Sequence, residues 1–151
     1  MDEKDDFDLQ EFLPYLLNQA AEEASLAFQQ VYKRRYGMLR TDWRVLFHLG
    51  IYGELTAGEI GARARIHKTK VSRAVARLEA WRFLTRATDA ADRRRETLRL
   101  TAQGEAAYRD LRAVARDYDA RLVAEFAPEE AALLRRMLRR LARSGGVGDD
   151  A

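Results

Sequence analysis

Leu9, Phe12, Leu13, Leu16, Leu17, Ala20, Ala24, Phe28 and Val31 recur at three- and four-residue steps, the period of one helix face. The pattern runs to about Tyr36, and Gly37 is placed to stop it. Pro14 lies near the start, where it ends or kinks a first turn. A second helix is expected from Thr41 as N-cap, with Asp42 in its first turn. It continues through Trp43, Val45, Leu46, Phe47 and Leu49 towards Gly53. Thr56-Ala57-Gly58-Glu59 has the form of a capping box opening a short helix through Ile60, Ala62 and Ala64. A turn at Arg65-Ile66-His67 leads to a helix over about 68–81, with Val71, Ala74, Val75 and Leu78 on one face. Two short helices joined this way predict a helix-turn-helix.

The period then changes. Residues 83–88 and 96–101 read as two strands, with Leu98 and Leu100 alternating with Thr97, Arg99 and Thr101. Between them Asp89-Ala90-Ala91-Asp92-Arg93-Arg94-Arg95 is a polar hairpin loop. Helix resumes with a long stripe from Ala106 through Leu111, Val114, Tyr118 and Leu122 to Phe126. Pro128 suits the first position of a last helix, with Glu129 and Glu130 in its first turn and Leu133, Leu134, Met137, Leu138 and Leu141 as its apolar face. Ser144 to Ala151 reads as a frayed Gly- and Asp-rich tail. The fold class is mostly α with a small β hairpin, and the 151 residues suit one domain. The helix-turn-helix and hairpin span about 41–101, between helical segments at about 7–36 and 102–144.

Charge sharpens this picture. The net charge is only +3, but residues 56–101 carry twelve bases against five acids, while the first thirty residues are acidic. A basic block on a helix-turn-helix points to duplex DNA. An Arg-rich coding bias explains the preference for Arg over Lys but not the clustering. With about 100° per residue, Thr69, Arg73 and Ala76 lie opposite the apolar face of the 68–81 helix, flanked by Lys70, Ser72 and Arg77. Small residues there permit close approach, and the bases reach guanine edges or phosphates. Lys68, Thr69, Lys70, Ser72, Arg73 and Arg77 are the expected DNA contacts on this helix, the competing account being an ordinary solvated face. On the hairpin, Arg94 suits a narrow A·T minor groove, with Arg93 and Arg95 as phosphate contacts. Asp92, an acid, orients the loop by pairing with Arg94 or a neighbouring Arg.

Other chemistry is thinly represented. With no cysteine, disulfides, thiolate metal sites and thiol nucleophiles are excluded. His48 and His67 have no partner at ligand spacing, so neither a metal nor a cofactor is expected. Ser72 has no motif-placed base, there is no phosphate loop or dinucleotide fingerprint, and Glu22-Glu23 and Glu129-Glu130 are adjacent and so diverge on a helix. An enzyme is not expected. No apolar run reaches membrane-spanning length, and the N-terminus is acidic where a secretion signal is basic, so a cytoplasmic protein is expected. Trp43, Phe47 and His48, with Phe28, Tyr32 and Tyr36 on the first helix, form an aromatic cluster that suits a small aromatic effector, its anion met by Arg44 or His48. Core packing is the competing account. Exposed, the apolar stripes Leu9–Leu17 and Leu122–Leu141 form a large patch, which a second copy of the chain covers. A protein-interaction module on the same scaffold is the rival reading to DNA binding.

Thr41-Asp42-Trp43-Arg44-Val45-Leu46, the run Lys68 to Glu79, Asp92-Arg93-Arg94, and Leu98-Arg99-Leu100-Thr101-Ala102-Gln103-Gly104 occur in an order that resembles the MarR (multiple-antibiotic-resistance regulator) family of bacterial transcription factors. The resemblance covers nearly the whole chain. It implies a winged helix-turn-helix on a homodimer held by the N- and C-terminal helices. It also implies repression at a near-palindromic operator, often relieved by a small aromatic or phenolic ligand. Two positions depart from the pattern. His67 stands where the family has an acid, and Trp81-Arg82-Phe83 replaces a glycine turn, so the preceding helix is expected to end differently there.

Overall fold

The computed structural model describes residues 5–144. The tail expected to fray beyond Ser144 lies outside the described residues. A 3-10 turn at Leu9–Glu11 precedes α1 (Leu13–Tyr36), with Pro14 in the first turn of the helix, where no N–H is lost. Gly37 closes α1 at φ 67°, a left-handed position that glycine occupies without strain. The next elements are α2 (Arg40–Tyr52), β1 (Leu55–Thr56), α3 (Ala57–Ala64) and α4 (Lys68–Ala80), followed by β2 (Leu84–Thr88), β3 (Glu96–Leu100), α5 (Ala102–Leu122) and α6 (Pro128–Ser144).

Several boundaries differ from the sequence pattern, each for a local reason. The N-cap of α2 is Leu39, not Thr41, because Asp42 turns back and accepts the Leu39 N–H at 2.8 Å. The helix after the hairpin ends at Leu122, and residues 123–126 turn before α6 rather than continuing to Phe126. Thr56 and Glu59 do form the reciprocal capping box of α3. The antiparallel sheet has the order β1-β3-β2, with Leu55 opposite Leu98 and Leu84 opposite Leu100.

The end of α4 corrects the expectation drawn from the missing glycine. Arg82 itself takes the left-handed conformation, φ 63°, and the usual cap is kept. Its N–H donates to the Glu79 carbonyl, and the Phe83 N–H donates to Leu78 at 2.9 Å. The strain is held by the wing exit. The Thr101 hydroxyl donates to the Arg82 carbonyl at 2.6 Å, and the Thr101 N–H donates to the Phe83 carbonyl at 3.0 Å.

The chain divides into two compact units, Met1–Ala115 and Arg116–Ala151. In the first, Val45, Leu46, Leu49, Ile60, Val71, Ala74, Val75, Leu78, Leu84 and Leu98 close one core around the helix-turn-helix and wing root. The N-terminal part of α1 stays outside it: Leu13, Leu16 and Leu17 are exposed. In the second unit none of the α6 side chains is buried among the described residues, and Leu133, Leu134, Met137, Leu138 and Leu141 lie open. Among the described residues no helix is long and apolar enough to cross a membrane.

Candidate nucleic-acid interface

The helix-turn-helix is α3 and α4 with the turn 65–67 between them. Its second helix starts on a histidine cap: His67 Nδ1 accepts the Thr69 N–H at 3.2 Å. That bond leaves Nδ1 without a proton and puts the ring hydrogen of the neutral imidazole on Nε2. No acid stands in the first turn of α4, whereas Lys68 and Lys70 do. Both oppose the helix dipole, so they do not serve helix stability. Thr69, Ser72 and Arg73 are exposed on the same helix, opposite buried Val71, Ala74, Val75 and Leu78.

Arg77 is placed differently from the sequence expectation. Its Nε donates to Asp42 at 2.9 Å, and its second nitrogen donates to the same carboxylate at 2.7 Å. The Asp42 carboxyl is fully buried, and the Arg77 side chain is 32% exposed. A carboxylate without water needs such partners. Arg77 therefore fixes α4 against the first turn of α2 instead of lying free on the outward side of α4.

The wing is set by a similar division of its charges. Arg86 pairs with Glu79 of α4 and Glu96 of β3, and Arg95 pairs with Glu59 of α3 at 2.9 Å. Hydrogen bonds from Thr56, with the Arg95 charge beside it, hold the Glu59 carboxyl below its ordinary range. Asp92 does orient the loop, but through the backbone: it accepts the Arg94 N–H at 3.0 Å rather than the Arg94 guanidinium. Asp89 likewise accepts the Ala91 N–H. The side chains of Arg93 and Arg94 are exposed and have no ion-pair partner among the described residues.

The aromatic residues form a packed cluster. Trp43 lies edge-on to Phe28 and to Phe47, both at 5.2 Å, and Phe47 lies edge-on to Tyr108 at 5.2 Å. Tyr32 is buried beside Trp43, and burial pushes its phenol upward. Tyr36 does not join them. It meets Phe83, and its hydroxyl donates to Asp110 at 2.6 Å. Burial and that carboxylate push its pKa up to about 12. Arg44 donates to the Ala64 carbonyl, and burial, with Arg40 nearby, lowers its pKa. His48 Nδ1 lies 2.6 Å from the Arg44 carbonyl, so that nitrogen carries the ring proton. Both groups expected to meet an effector's anion are thus engaged internally. A cavity of about 310 Å³ lies instead beside Gly58, Gly61, Ile66, Lys68, Val71 and Ser72, between α3 and α4.

Arg65, in the turn between α3 and α4, is exposed between buried Ala64 and Ile66.

The MarR family profile matches residues 36–95, which span α2 to the wing loop. No curated protein matches the chain. Among solved structures, a MarR family transcriptional regulator from Silicibacter pomeroyi DSS-3 is 30% identical, with TM-score 0.79, covering 92% of this chain and 98% of its own. BpsR of Bordetella bronchiseptica, whose DNA binding is regulated by 6-hydroxynicotinic acid, is 23% identical with TM-score 0.83, covering 90% of this chain and 96% of its own. PcaV of Streptomyces coelicolor, solved with its natural ligand, is 22% identical with TM-score 0.81, covering 95% of this chain and all (100%) of its own. These last two show the shared fold.

Proposed function

The chain belongs to the MarR family of transcriptional regulators, and on that premise we propose that it is a homodimeric repressor of a near-palindromic DNA operator, released by a small aromatic ligand. The observation that carries the DNA reading is the sorting of bases. Arg77, Arg86 and Arg95 are paired with acids, whereas Lys68, Lys70, Arg73, Arg93 and Arg94 have no such partner among the described residues. These five lie on the outward side of α4 and on the wing loop; Arg65, Arg82 and Arg99 of the same basic block are likewise exposed and without an acid among the described residues. Small Thr69 and Ser72 between the α4 bases permit close approach to a groove. The reading is of a binding protein to which no reaction is assigned, working in the cytoplasm where its operator lies.

The exposed stripes on α1 and α6 support the homodimer. Each is an apolar surface that soluble monomers rarely leave open. A two-fold dimer sets its recognition helices about one DNA turn, roughly 34 Å, or a small multiple apart. Light scattering at micromolar concentration is expected to give twice the chain mass, and a monomer counts against the assembly.

The test of the DNA face is fluorescence anisotropy on a duplex selected by the wild-type protein. Arg73→Ala is expected to cost about 1–3 kcal/mol of binding with relaxed sequence preference. Arg94→Ala is expected to weaken binding most where the flanks are A·T-rich. Wild-type affinity in both variants at physiological salt sinks this map.

The ligand reading rests on the family and on the aromatic ring cluster at the junction of α1 and α2. Because the rings fill one another's space, a ligand there has to displace one of them, and Trp43 reports it. Aromatic acids are expected to shift Trp43 emission and to weaken DNA binding by the same factor by which DNA weakens theirs. Trp43→Phe isolates the signal from Trp81. An unchanged Trp43 emission across the panel, with operator still bound, leaves these residues as core.

A further inference from the structure

Among the described residues two non-glycine positions have left-handed backbones, and both are arginines: Arg65 at φ 54° and Arg82 at φ 63°. Such a conformation costs an L residue about 1–2 kcal/mol, and glycine is the usual occupant of a helix C-cap of this kind. Arg65 closes α3, its N–H donating to the Gly61 carbonyl, with the Ile66 N–H on the same oxygen at 3.1 Å. Glycine makes both backbone bonds without strain. The strained backbone therefore brings Arg65 no bond that glycine lacks.

That side chain does nothing for the interior. Arg65 is exposed between buried Ala64 and Ile66, and its guanidinium has no hydrogen bond or ion pair among the described residues. Its neighbours are occupied: Arg63 lies over the Tyr52 ring at 4.3 Å, and Arg44 is on the Ala64 carbonyl. Arg65 stands two residues before the His67 cap, at the end of α4 that carries Lys68 and Lys70. In a helix-turn-helix docked on DNA, that end of the second helix enters the major groove, and adjoining residues meet the sugar-phosphate backbone. A strained residue held where strain brings no internal gain is a functional candidate.

We propose that Arg65 is a DNA backbone contact, its guanidinium binding a phosphate at the edge of the groove that α4 enters. The inference rests on the DNA-binding reading above. Arg82 provides a matched comparison. It has the same side chain and the same strain at the opposite end of α4, about 20 Å along the helix axis. There its neighbour Phe83 packs on Tyr36 and its carbonyl is held by Thr101.

The experiment uses the full chain carrying Arg65→Gly, Arg65→Lys or Arg82→Gly, with thermal unfolding and salt-dependent anisotropy on a wild-type-selected duplex and a scrambled one. Arg65→Gly is expected to melt at the wild-type temperature or above and yet bind both duplexes roughly tenfold more weakly. Its plot of log affinity against log salt is expected to be shallower by about 1.8, one phosphate contact being lost from each protomer of the dimer. Arg65→Lys is expected to restore most of the loss, and Arg82→Gly to leave affinity unchanged. Wild-type affinity and slope in Arg65→Gly overturn the proposal. So does a loss that lysine fails to restore, or one that Arg82→Gly reproduces. If the wild-type protein selects and binds no duplex, the DNA reading itself fails, and Arg65 has no phosphate to meet.

Discussion

Arg77→Ala is expected to destabilise the protein by about 3 kcal/mol, a drop of roughly 10 °C in melting temperature for a chain of this size. The reason is the partner left behind. Asp42 is wholly buried, and without Arg77 its carboxylate keeps only the Leu39 N–H among the partners observed. Removing one member of a buried pair costs about 3–5 kcal/mol in general, and the part-exposed guanidinium puts this pair at the lower end. The Asp42→Ala/Arg77→Ala double variant is expected to lose less than the two single losses combined, since the stranded charge is then gone. Thermal unfolding followed by circular dichroism measures all three. Had Arg77 been a free phosphate contact, its removal would weaken DNA binding and leave the melting temperature unchanged.

Gly104→Ala is expected to lose about 2 kcal/mol at a site where helix propensity alone predicts a gain of about 1. A Cβ at Gly104 falls 2.0 Å from the Phe83 carbonyl oxygen and 3.2 Å from a Leu100 methyl group. The obstacle is backbone, so α5 must move off the wing root, at an over-packing cost of about 3 kcal/mol. That movement also strains the Thr101 bonds to Arg82 and Phe83. Gly58→Ala is the control: its Cβ meets nothing nearer than the Thr56 hydroxyl at 3.8 Å. Urea unfolding is expected to separate the two, with Gly104→Ala lower in midpoint and Gly58→Ala unchanged or higher. A Gly104→Ala midpoint at or above wild type contradicts the close packing of α5 on Phe83.

Local patterns in the sequence carried the helices because their apolar positions repeat every three or four residues and their caps lie within one turn. The Thr56–Glu59 box and the Gly37 stop are such features. Thr41 misled because a good capping residue caps only if the chain turns there, and Asp42 instead reached back to Leu39. β1 has two residues, too few to display a period. Helical angle put Arg77 towards the solvent side, but its partner lies 35 positions earlier, a separation that no local pattern reports. Arg86 with Glu79 and Arg95 with Glu59 were hidden in the same way. The aromatic cluster was visible as composition. That Phe28, Trp43 and Phe47 stand edge-on to one another follows only from how α1 and α2 pack.

Selection of duplexes from a random pool by the full-length wild-type protein, followed by anisotropy on the winner across a salt series, tests the central claim most directly. The account predicts a near-palindrome whose half-site centres lie about one helical turn, or a small multiple, apart. It also predicts affinity that falls steeply with salt. A pool that stays random through successive rounds, or a winner bound no better than its scrambled sequence, contradicts it.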